Sequence, residues 1–495
     1  MSLDTSYAAR TGARREELPT TTADELQRQV AAAAAAADDV AARHPDERRG
    51  WLRALADALD AAADLLVRVA DAETGLGEER LAGELARCAQ QLRFYGDVAA
   101  EGSWLELTVD HRTETTPDLR RMQVPLGPVA VLGASNFPFA FGTLGHDTAS
   151  ALAAGCPVLG KIHPAHPETG RRLAEVAATA LAAAGAPEGT LAAVSGFEAG
   201  VALVEAAPVA AVAFTGSQAG GMALWRAAQR RPVPIPVYAE MGTVNPVVVT
   251  GRGTDRLDEV AAGFVASYTL GMGQFCTKPG LLLVPAGHGA ADRVVAALEA
   301  ASPSGWLLTE SIAEAYDRGR ARLADAGARQ VGRAAAPAGG WGAEPTVFAA
   351  AASDVRAGSP LLEECFGPTA LVVEYDGRAE LEGLLAGLPG ALAASVQSGG
   401  PDDPEVPALV RDLGRRVGRV MVDDWPTGVA LTWSQQHGGP WPATTQPTAT
   451  SVGAAALGRF TRPVTWQSVP GPALPPPLRE DSPWRLPRRV DGRLA

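Results

Sequence analysis

The sequence has few cysteines: Cys88, Cys156, Cys276 and Cys365 are the only four in 495 residues, and no two form a Cys-x-x-Cys pair. That spacing suggests neither a disulfide framework nor a cysteine zinc site, and it fits a reducing compartment. Basic residues are outnumbered, with 43 Lys and Arg against 56 Asp and Glu and a formal net charge of -13. Nucleic acids and anionic membranes gather clustered cations, so neither is an expected partner. No apolar run reaches the ~20 residues of a membrane-spanning helix. The alanine run 31–37 is far shorter and lies between Gln29 and Asp38. The opening Met-Ser-Leu-Asp-Thr-Ser-Tyr has no basic segment followed by an apolar one, so the expected location is cytoplasmic. No period of the length that marks repeat proteins is visible.

What is present is apolar material for large cores, 46% of residues, in a chain too long for one compact domain. From 24 to 98, Leu, Ala and Val recur at three- and four-residue steps, which predicts two or three packed helices. Residues 105–109 and 120–124 read as extended segments joined by a polar connection. Short apolar runs then alternate with helical stretches: strands at 129–133, 157–161, 191–194 and 209–214, helices at 142–154 and 168–184. This alternation implies a parallel sheet with helices on both faces, with ligands beyond the carboxyl ends of its strands. A second α/β region begins near Glu240, with strands at 246–250 and 281–284 and a helix at 257–269. From Pro470 onward the chain is rich in Pro, Arg and Asp and reads as an extended surface tail.

Cys276 lies in Gly-Gln-Phe-Cys-Thr-Lys-Pro-Gly, on a loop between helix and strand. A packed cysteine is the commoner role for the residue type; Lys278, two positions on, would favour a thiolate if the side chains met. Glu240, in Tyr-Ala-Glu-Met-Gly, ends an apolar stretch, where desolvation would raise its pKa and suit a general base; a cap or ion pair is the alternative. Asn136, in Ser-Asn-Phe-Pro-Phe, fits turn chemistry or an oxyanion donor. Phe-Thr-Gly-Ser-Gln-Ala-Gly-Gly joins strand to helix, with Ser217 at an N-cap and Gly216 and Gly221 permitting close approach of a phosphate. It departs from the Gly-x-Gly-x-x-Gly fingerprint.

In this order, Ser-Asn-Phe-Pro-Phe, Gly-Lys at Lys161, Phe-Thr-Gly-Ser, Glu-Met-Gly, Gly-Gln-Phe-Cys and Glu-Glu-Cys-Phe-Gly-Pro resemble the aldehyde dehydrogenase superfamily over nearly the whole chain. The late His437-Gly-Gly-Pro-Trp-Pro-Ala-Thr-Thr, with Thr-Ser-Val-Gly and Arg-Phe-Thr-Arg-Pro-Val after it, is similar to the branch holding ketoglutarate semialdehyde and NADP-dependent fatty aldehyde dehydrogenases. The resemblance implies an α/β fold with a Rossmann-type cofactor domain (1–109 and 127–239), an α/β catalytic domain (240–445) and a small β oligomerisation arm (110–126 and 458–475), followed by a tail (476–495).

It further implies an NAD(P)-dependent oxidation in which Cys276 is the nucleophile, Asn136 and the Cys276 amide hold the oxyanion, and Glu240 activates the hydrolytic water. Lys161, Gly216, Ser217, Gly221, Glu364 and Phe366 would bind the cofactor, NAD or NADP. Pro164 stands where NAD-preferring relatives often carry a glutamate, so nothing there repels a 2′-phosphate, while Phe197-Glu-Ala-Gly lacks an added cation. Phe139, Phe141, Leu144 and Phe275 would line an apolar substrate tunnel, with Thr432 and Trp433 near its wall. His437 could act as a base, but the Gly-Gly-Pro around it assigns it to a turn near the substrate mouth; Cys156 and Cys365 are assigned to packing, and no metal is implied. The expected substrate is 2,5-dioxopentanoate, with an aliphatic aldehyde as the alternative and a catalytically silent binding subunit as the reading from another class. Retention of Glu240 argues against acyl transfer to coenzyme A. A homodimer or homotetramer is implied by the arm.

Overall fold

The computed structural model describes residues 2–494. An antiparallel hairpin, Leu3–Ala8 with Ala13–Pro19, opens the chain and was not legible as strands. Four helices follow, Ala23–Ala42, Pro45–Ala61, Ala63–Thr74 and Glu78–Glu101, where two or three were expected. The extra boundary is a one-residue break at Ala62 (φ −96°, ψ 7°), which interrupts the helix without Gly or Pro and so leaves no signal in the sequence. The first helix is set by a capping box: Thr22 accepts from the Glu25 amide while Glu25 reaches back to the Thr22 amide.

The first parallel sheet has five strands in the order Leu191–Val194, Val158–Lys161, Val129–Leu132, Ala211–Gly216, Val237–Met241. The last of these supplies an edge strand beyond the four expected, and it carries Glu240 near its carboxyl end. The helix expected over 142–154 starts only at His146. Before it the chain runs in irregular turns through Gly142 and Gly145, where any Cβ would overlap backbone at Pro138 or Ala140. That irregular stretch places Asn136 at the carboxyl end of the sheet.

The second sheet has seven strands in the order Arg329–Arg333, Thr346–Ala351, Thr369–Tyr375, Leu281–Pro285, Pro246–Val249, Ala391–Gln397, Val417–Val422, all parallel except the first, which pairs antiparallel with its neighbour. Its central strands are apolar and buried on both faces, as helix-covered parallel strands must be. Cys276 stands between the helix Leu257–Thr269 and the strand Leu281–Pro285.

The third sheet is a small arm in which Thr461–Gln467 pairs antiparallel along the full length of Leu119–Pro125, which in turn pairs with Leu107–Asp110. The end of the chain corrects the sequence reading. In place of a loose tail, Arg488–Val490 pairs parallel with Leu107–Asp110 and turns back through Arg493–Leu494. Its apolar residues are few but well placed: Leu478 and Leu486 are buried with Leu105, Leu107 and Met122. Among the described residues no helix is long and apolar enough to cross a membrane. Leu478 is fully buried, so Leu478→Ala is expected to cost ~2–4 kcal/mol in the arm; hydrogen exchange of the Leu107–Asp110 amides should report it as faster opening.

Candidate active site

Cys276 is presented by an unusual turn. Gly271, Met272 and Gly273 all take positive φ (55°, 57° and 64°), and a Cβ at Gly273 would overlap the Gly367 carbonyl, so glycine is needed on steric grounds. The turn is held from below by Asn245, whose side-chain amide donates to the Cys276 carbonyl at 2.8 Å and the Lys278 carbonyl at 3.1 Å. Lys278 does not reach the thiol. Its ammonium is buried and donates to the carbonyls of Cys365 and Thr369, both at 2.8 Å, which corrects the idea that it favours a thiolate.

The group beside the sulfur is His437, whose Nε2 lies 3.6 Å from Cys276 Sγ and 2.8 Å from Glu240 Oε1. The Ser451 hydroxyl donates to the other Glu240 oxygen, and both His437 and Glu240 are buried. This is the main residue that the sequence reading misplaced: His437 was assigned a turn, and it stands against both the Glu240 carboxylate and the thiol, which also meet each other. Its signal was weak because a histidine before Gly-Gly-Pro reads as loop chemistry, and its partners are distant in sequence.

The electrostatics also differ from expectation. Burial alone would push the Glu240 carboxyl up, but the His437 ring and the Ser451 hydroxyl outweigh it and hold the carboxyl below its ordinary range. The Cys276 thiol moves the other way, raised well above its usual value by burial first and then by the Glu240 and Glu364 carboxylates. Its own amide N–H acts in the opposite sense, so that N–H faces the sulfur.

Asn136 is buried beside this group and donates from Nδ2 to the Gln274 carbonyl at 2.7 Å, which uses one of its two hydrogens. Asn136, Glu240, Cys276, Glu364, Phe366 and Ser217 share one cleft of about 830 Å³. On the cleft's far side Ser217 caps the helix Gln218–Gln229, accepting from the Gly220 amide at 3.1 Å. Glu364 projects a buried carboxylate over Gly242, where a Cβ would overlap it, and its Oε1 has no hydrogen-bond partner. Burial raises the Glu364 carboxyl to about 7, with Lys278 opposing.

A helix N-terminus for phosphate, an unpartnered carboxylate for hydroxyls and Phe366 for an aromatic ring fit a nicotinamide dinucleotide. Thr5 and Tyr7 of the opening hairpin also line this cleft, a contribution the sequence did not reveal.

Several expected site residues lie elsewhere. Phe139 and Leu144 point into the core beneath the four helices, because the irregular turn at 135–145 breaks any simple periodicity. Phe141 and Phe275 do lie near the thiol: Phe141 is 6.2 Å from the His437 ring, and Phe275 meets Phe137 edge-on at 5.0 Å. Gly221 packs the helix against Met241 and Ala239, and Gly220 faces the cleft in its place. Lys161 lies along Gly200 and feels Asp4; its neighbours His163 and Pro164 line the cleft. Thr432 and Trp433 are exposed, with Trp433 edge-on to Phe94 at 6.2 Å. Cys88, Cys156 and Cys365 are buried.

A half-buried cysteine with an imidazole, an amide donor and a dinucleotide cleft defines a cysteine-dependent oxidoreductase. The sequence matches the profile of the aldehyde dehydrogenase family over residues 4–441, and the chain belongs to that family. It is an NAD(P)-dependent oxidoreductase acting on aldehydes. It is 43% identical over 458 residues to alpha-ketoglutaric semialdehyde dehydrogenase 2 of Azospirillum brasilense, covering 90% of this chain and 87% of the relative. It is 39% identical over 460 residues to alpha-ketoglutaric semialdehyde dehydrogenase of Acinetobacter baylyi, with the same coverage of 90% and 87%. Among solved structures, an NAD-dependent aldehyde dehydrogenase from Sinorhizobium meliloti superposes with a TM-score of 0.81 at 23% identity, covering 96% of this chain and 93% of that one. A putative aldehyde dehydrogenase from Burkholderia cenocepacia gives a TM-score of 0.80 at 22% identity, covering 94% and 96%.

Two alkylation outcomes follow. Iodoacetamide is expected to label Cys276 ahead of the other three cysteines, which are buried. Because the Glu364 carboxylate raises the Cys276 thiol, Glu364→Gln should lower that pKa and speed alkylation at pH 7.5 by roughly threefold or more. An unchanged rate would show that the carboxylate does not act on the sulfur.

Proposed function

We propose that the protein oxidises 2,5-dioxopentanoate to 2-oxoglutarate with NAD or NADP. The observation that carries the chemistry is the cluster of Glu240, His437 and Cys276, with Asn136 beside it. The thiol is too weakly acidic to ionise alone, so the ionised Glu240 carboxylate, which meets the sulfur while His437 Nε2–H holds it from the side, takes the thiol proton as Sγ attacks the aldehyde carbon and gives it up to solvent before the second half. The aldehyde oxygen becomes an oxyanion held by the second Asn136 Nδ2 hydrogen and the Cys276 amide, leaving a thiohemiacetal on Sγ. When bound, the nicotinamide would supply the two-electron acceptor that conversion of this adduct to a thioester requires. Ser217 and the first turn of its helix would hold the phosphates, Glu364 the ribose hydroxyls, and Phe366 would pack beside the nicotinamide ring.

In the second half, the carboxylate of Glu240 accepts a proton from water, directly or through His437. The hydroxide adds to the thioester carbon, the C–S bond breaks, and the thiol is regenerated as the acid leaves. Holding Glu240 ionised is what this step needs, and its contacts with His437 and Ser451 provide that. Support for the substrate is the activity for which the two relatives at 43% and 39% identity are named. The arm's outer strand, Thr461–Gln467, ends its sheet with one edge unpaired, and we take it as the surface that joins copies into a dimer or tetramer.

Steady-state kinetics with 2,5-dioxopentanoate, succinate semialdehyde, glycolaldehyde, hexanal and decanal, with each cofactor, tests the substrate. The dioxo acid is expected to give the highest kcat/KM, and a preference for decanal would replace this reading with a fatty aldehyde one. Cys276→Ala should lose more than about a thousandfold in kcat, and Glu240→Gln at least about a hundredfold. The donor atoms of Glu240, Cys276 and His437 lie within 4.8 Å of one another, close enough to share a cation. Dialysis against a chelator is expected to leave turnover intact, since the relay works through protons.

A further inference from the structure

The helix Glu78–Glu101 sends one stripe of side chains toward the thiol. Arg80, Glu84 and Arg87 are spaced four and three residues apart and so share a face. Each meets the irregular stretch that carries Asn136. The Arg80 guanidinium donates to the Asn136 carbonyl at 2.9 Å and lies over the rings of Phe137 and Phe275, 5.2 Å from each centroid. One Glu84 oxygen accepts the amides of Phe139 and Ala140 at 2.8 and 3.0 Å. Arg87 lies over the Phe141 ring, 5.9 Å from its centroid, and that ring is 6.2 Å from His437.

Arg80 and Glu84 have structural work in these contacts; Arg87 does not. Its Nε and Nη2 are buried without any hydrogen-bond partner, and among the described residues it forms no ion pair. Those two atoms form one edge of the guanidinium, the edge that grips a carboxylate side-on. The same protein shows its use elsewhere: Arg15 holds Glu168 through Nε and Nη2 at 3.1 Å each, and Arg120 holds Asp118 through the same pair at 3.0 and 3.1 Å. A thiolate at Cys276 would reach Arg87 through its field, so the guanidinium and the sulfur share one electrostatic neighbourhood.

Arg419, on the strand Val417–Val422, also feels that charge, but its Nη2 is spent on the carbonyls of Pro426 and Gly428. Glu84, on the same helix face, is the charge that acts most strongly on Arg87, followed by Tyr95, but neither hydrogen-bonds its fork, and the Phe141 ring beside it packs with Val429 and Val452. A desolvated cation whose fork has no hydrogen-bond partner leaves room for an anion that arrives with the ligand.

We propose that Arg87 is the residue that binds the carboxylate of an oxo-acid substrate and so selects it over a neutral aldehyde. This rests on the aldehyde oxidation at Cys276 proposed above and adds the group that recognises the far end of the substrate. A five-carbon oxo acid has four C–C bonds between its aldehyde and carboxylate carbons, about 5 Å when extended. That span lets the carboxylate of an aldehyde held at Cys276 lie beside the Phe141 ring, the ring that Arg87 covers. A fixed planar fork recognises the two oxygens together, which a lysine cannot do.

The test compares 2,5-dioxopentanoate with pentanal, a neutral chain of the same length, in the wild type, Arg87→Met and Arg87→Lys. The readout is the ratio of the two kcat/KM values. In Arg87→Met the ratio is expected to fall at least about fiftyfold, through KM for the acid, and in Arg87→Lys at least about fivefold. Glutarate binding, followed by calorimetry on the Cys276→Ala protein with and without Arg87→Met, should weaken in parallel. A ratio within threefold of wild type in both variants, or equal losses with acid and pentanal, overturns the assignment of Arg87. A wild type that oxidises pentanal as well as the dioxo acid overturns the oxo-acid reading itself and the role of Arg87 with it. Should Arg87→Met fail to fold, Arg87→Lys carries the same ratio test with the charge retained.

Discussion

The contact between Glu240 and His437 is the constraint on which the site depends, because it joins parts that fold on different sheets. Glu240 belongs to the edge strand of the five-stranded sheet, and Cys276 to a turn leading into the seven-stranded one. The segment from His437 to Val452 crosses between them. Met241 donates to the Ala443 carbonyl at 2.8 Å, Thr445 donates to the Ala239 carbonyl at 3.2 Å, and Glu240 bridges Thr444, so the segment runs along the edge strand like a further strand. Its two ends then meet: Ser451 donates its amide to the His437 carbonyl at 2.8 Å, which brings the histidine and the serine to the same carboxylate. Capping the open edge and assembling the proton relay are thus one structural act.

The same arrangement explains how a thiol raised by burial and by two carboxylates can still be a nucleophile. A thiolate standing permanently in this cleft would face the Glu240 and Glu364 charges, so the resting sulfur keeps its proton. A base in contact with it removes that need, because the proton passes to Glu240 only as the new C–S bond spreads the charge onto an oxygen. The oxygen is then met by donors fixed beforehand, one amide in the turn and one on Asn136, and fixed donors spend no energy on reorganising when the charge arrives. An ionised Glu240 is useful in both halves of the reaction, toward the thiol in the first and toward water in the second.

Much of this was legible because chemistry-bearing residues sat in short motifs whose order could be matched. Cys276, Asn136, Glu240, Glu364 and Phe366 do converge on one cleft. What escaped was set by contacts between distant segments. His437 looks like a loop residue until Glu240 is placed beside it, and the opening hairpin has too little alternation to announce strands. Phe139 and Leu144 are separated from Phe141 by only a few residues, yet they face the core, because glycine-dependent turns at 142 and 145 decide direction where periodicity cannot. Gly221 was read as making room for phosphate, whereas the space it leaves is filled by Met241. The terminal segment has a polar composition, and only the burial of Leu478 and Leu486 shows that it completes a sheet.

The division of labour among the layers bears on how such an enzyme acquires a substrate. The thiol, the relay and the amide donor are held by the two parallel sheets and the segment that joins them, so any change there alters the reaction itself. The stripe Arg80, Glu84, Arg87 comes from a separate helical layer and touches that machinery through the irregular stretch 136–141 and the Phe275 ring. A side chain on that helix face can change its charge or length while the helix continues to pack through Leu81, Leu85, Cys88 and Leu92 on its buried face. Selectivity for the distant end of an aldehyde is therefore free to vary in a layer that the chemistry does not use. An arginine there, brought near the thiol with a fork that no acid of the chain hydrogen-bonds, is what such a layer needs when the aldehyde also carries a carboxylate.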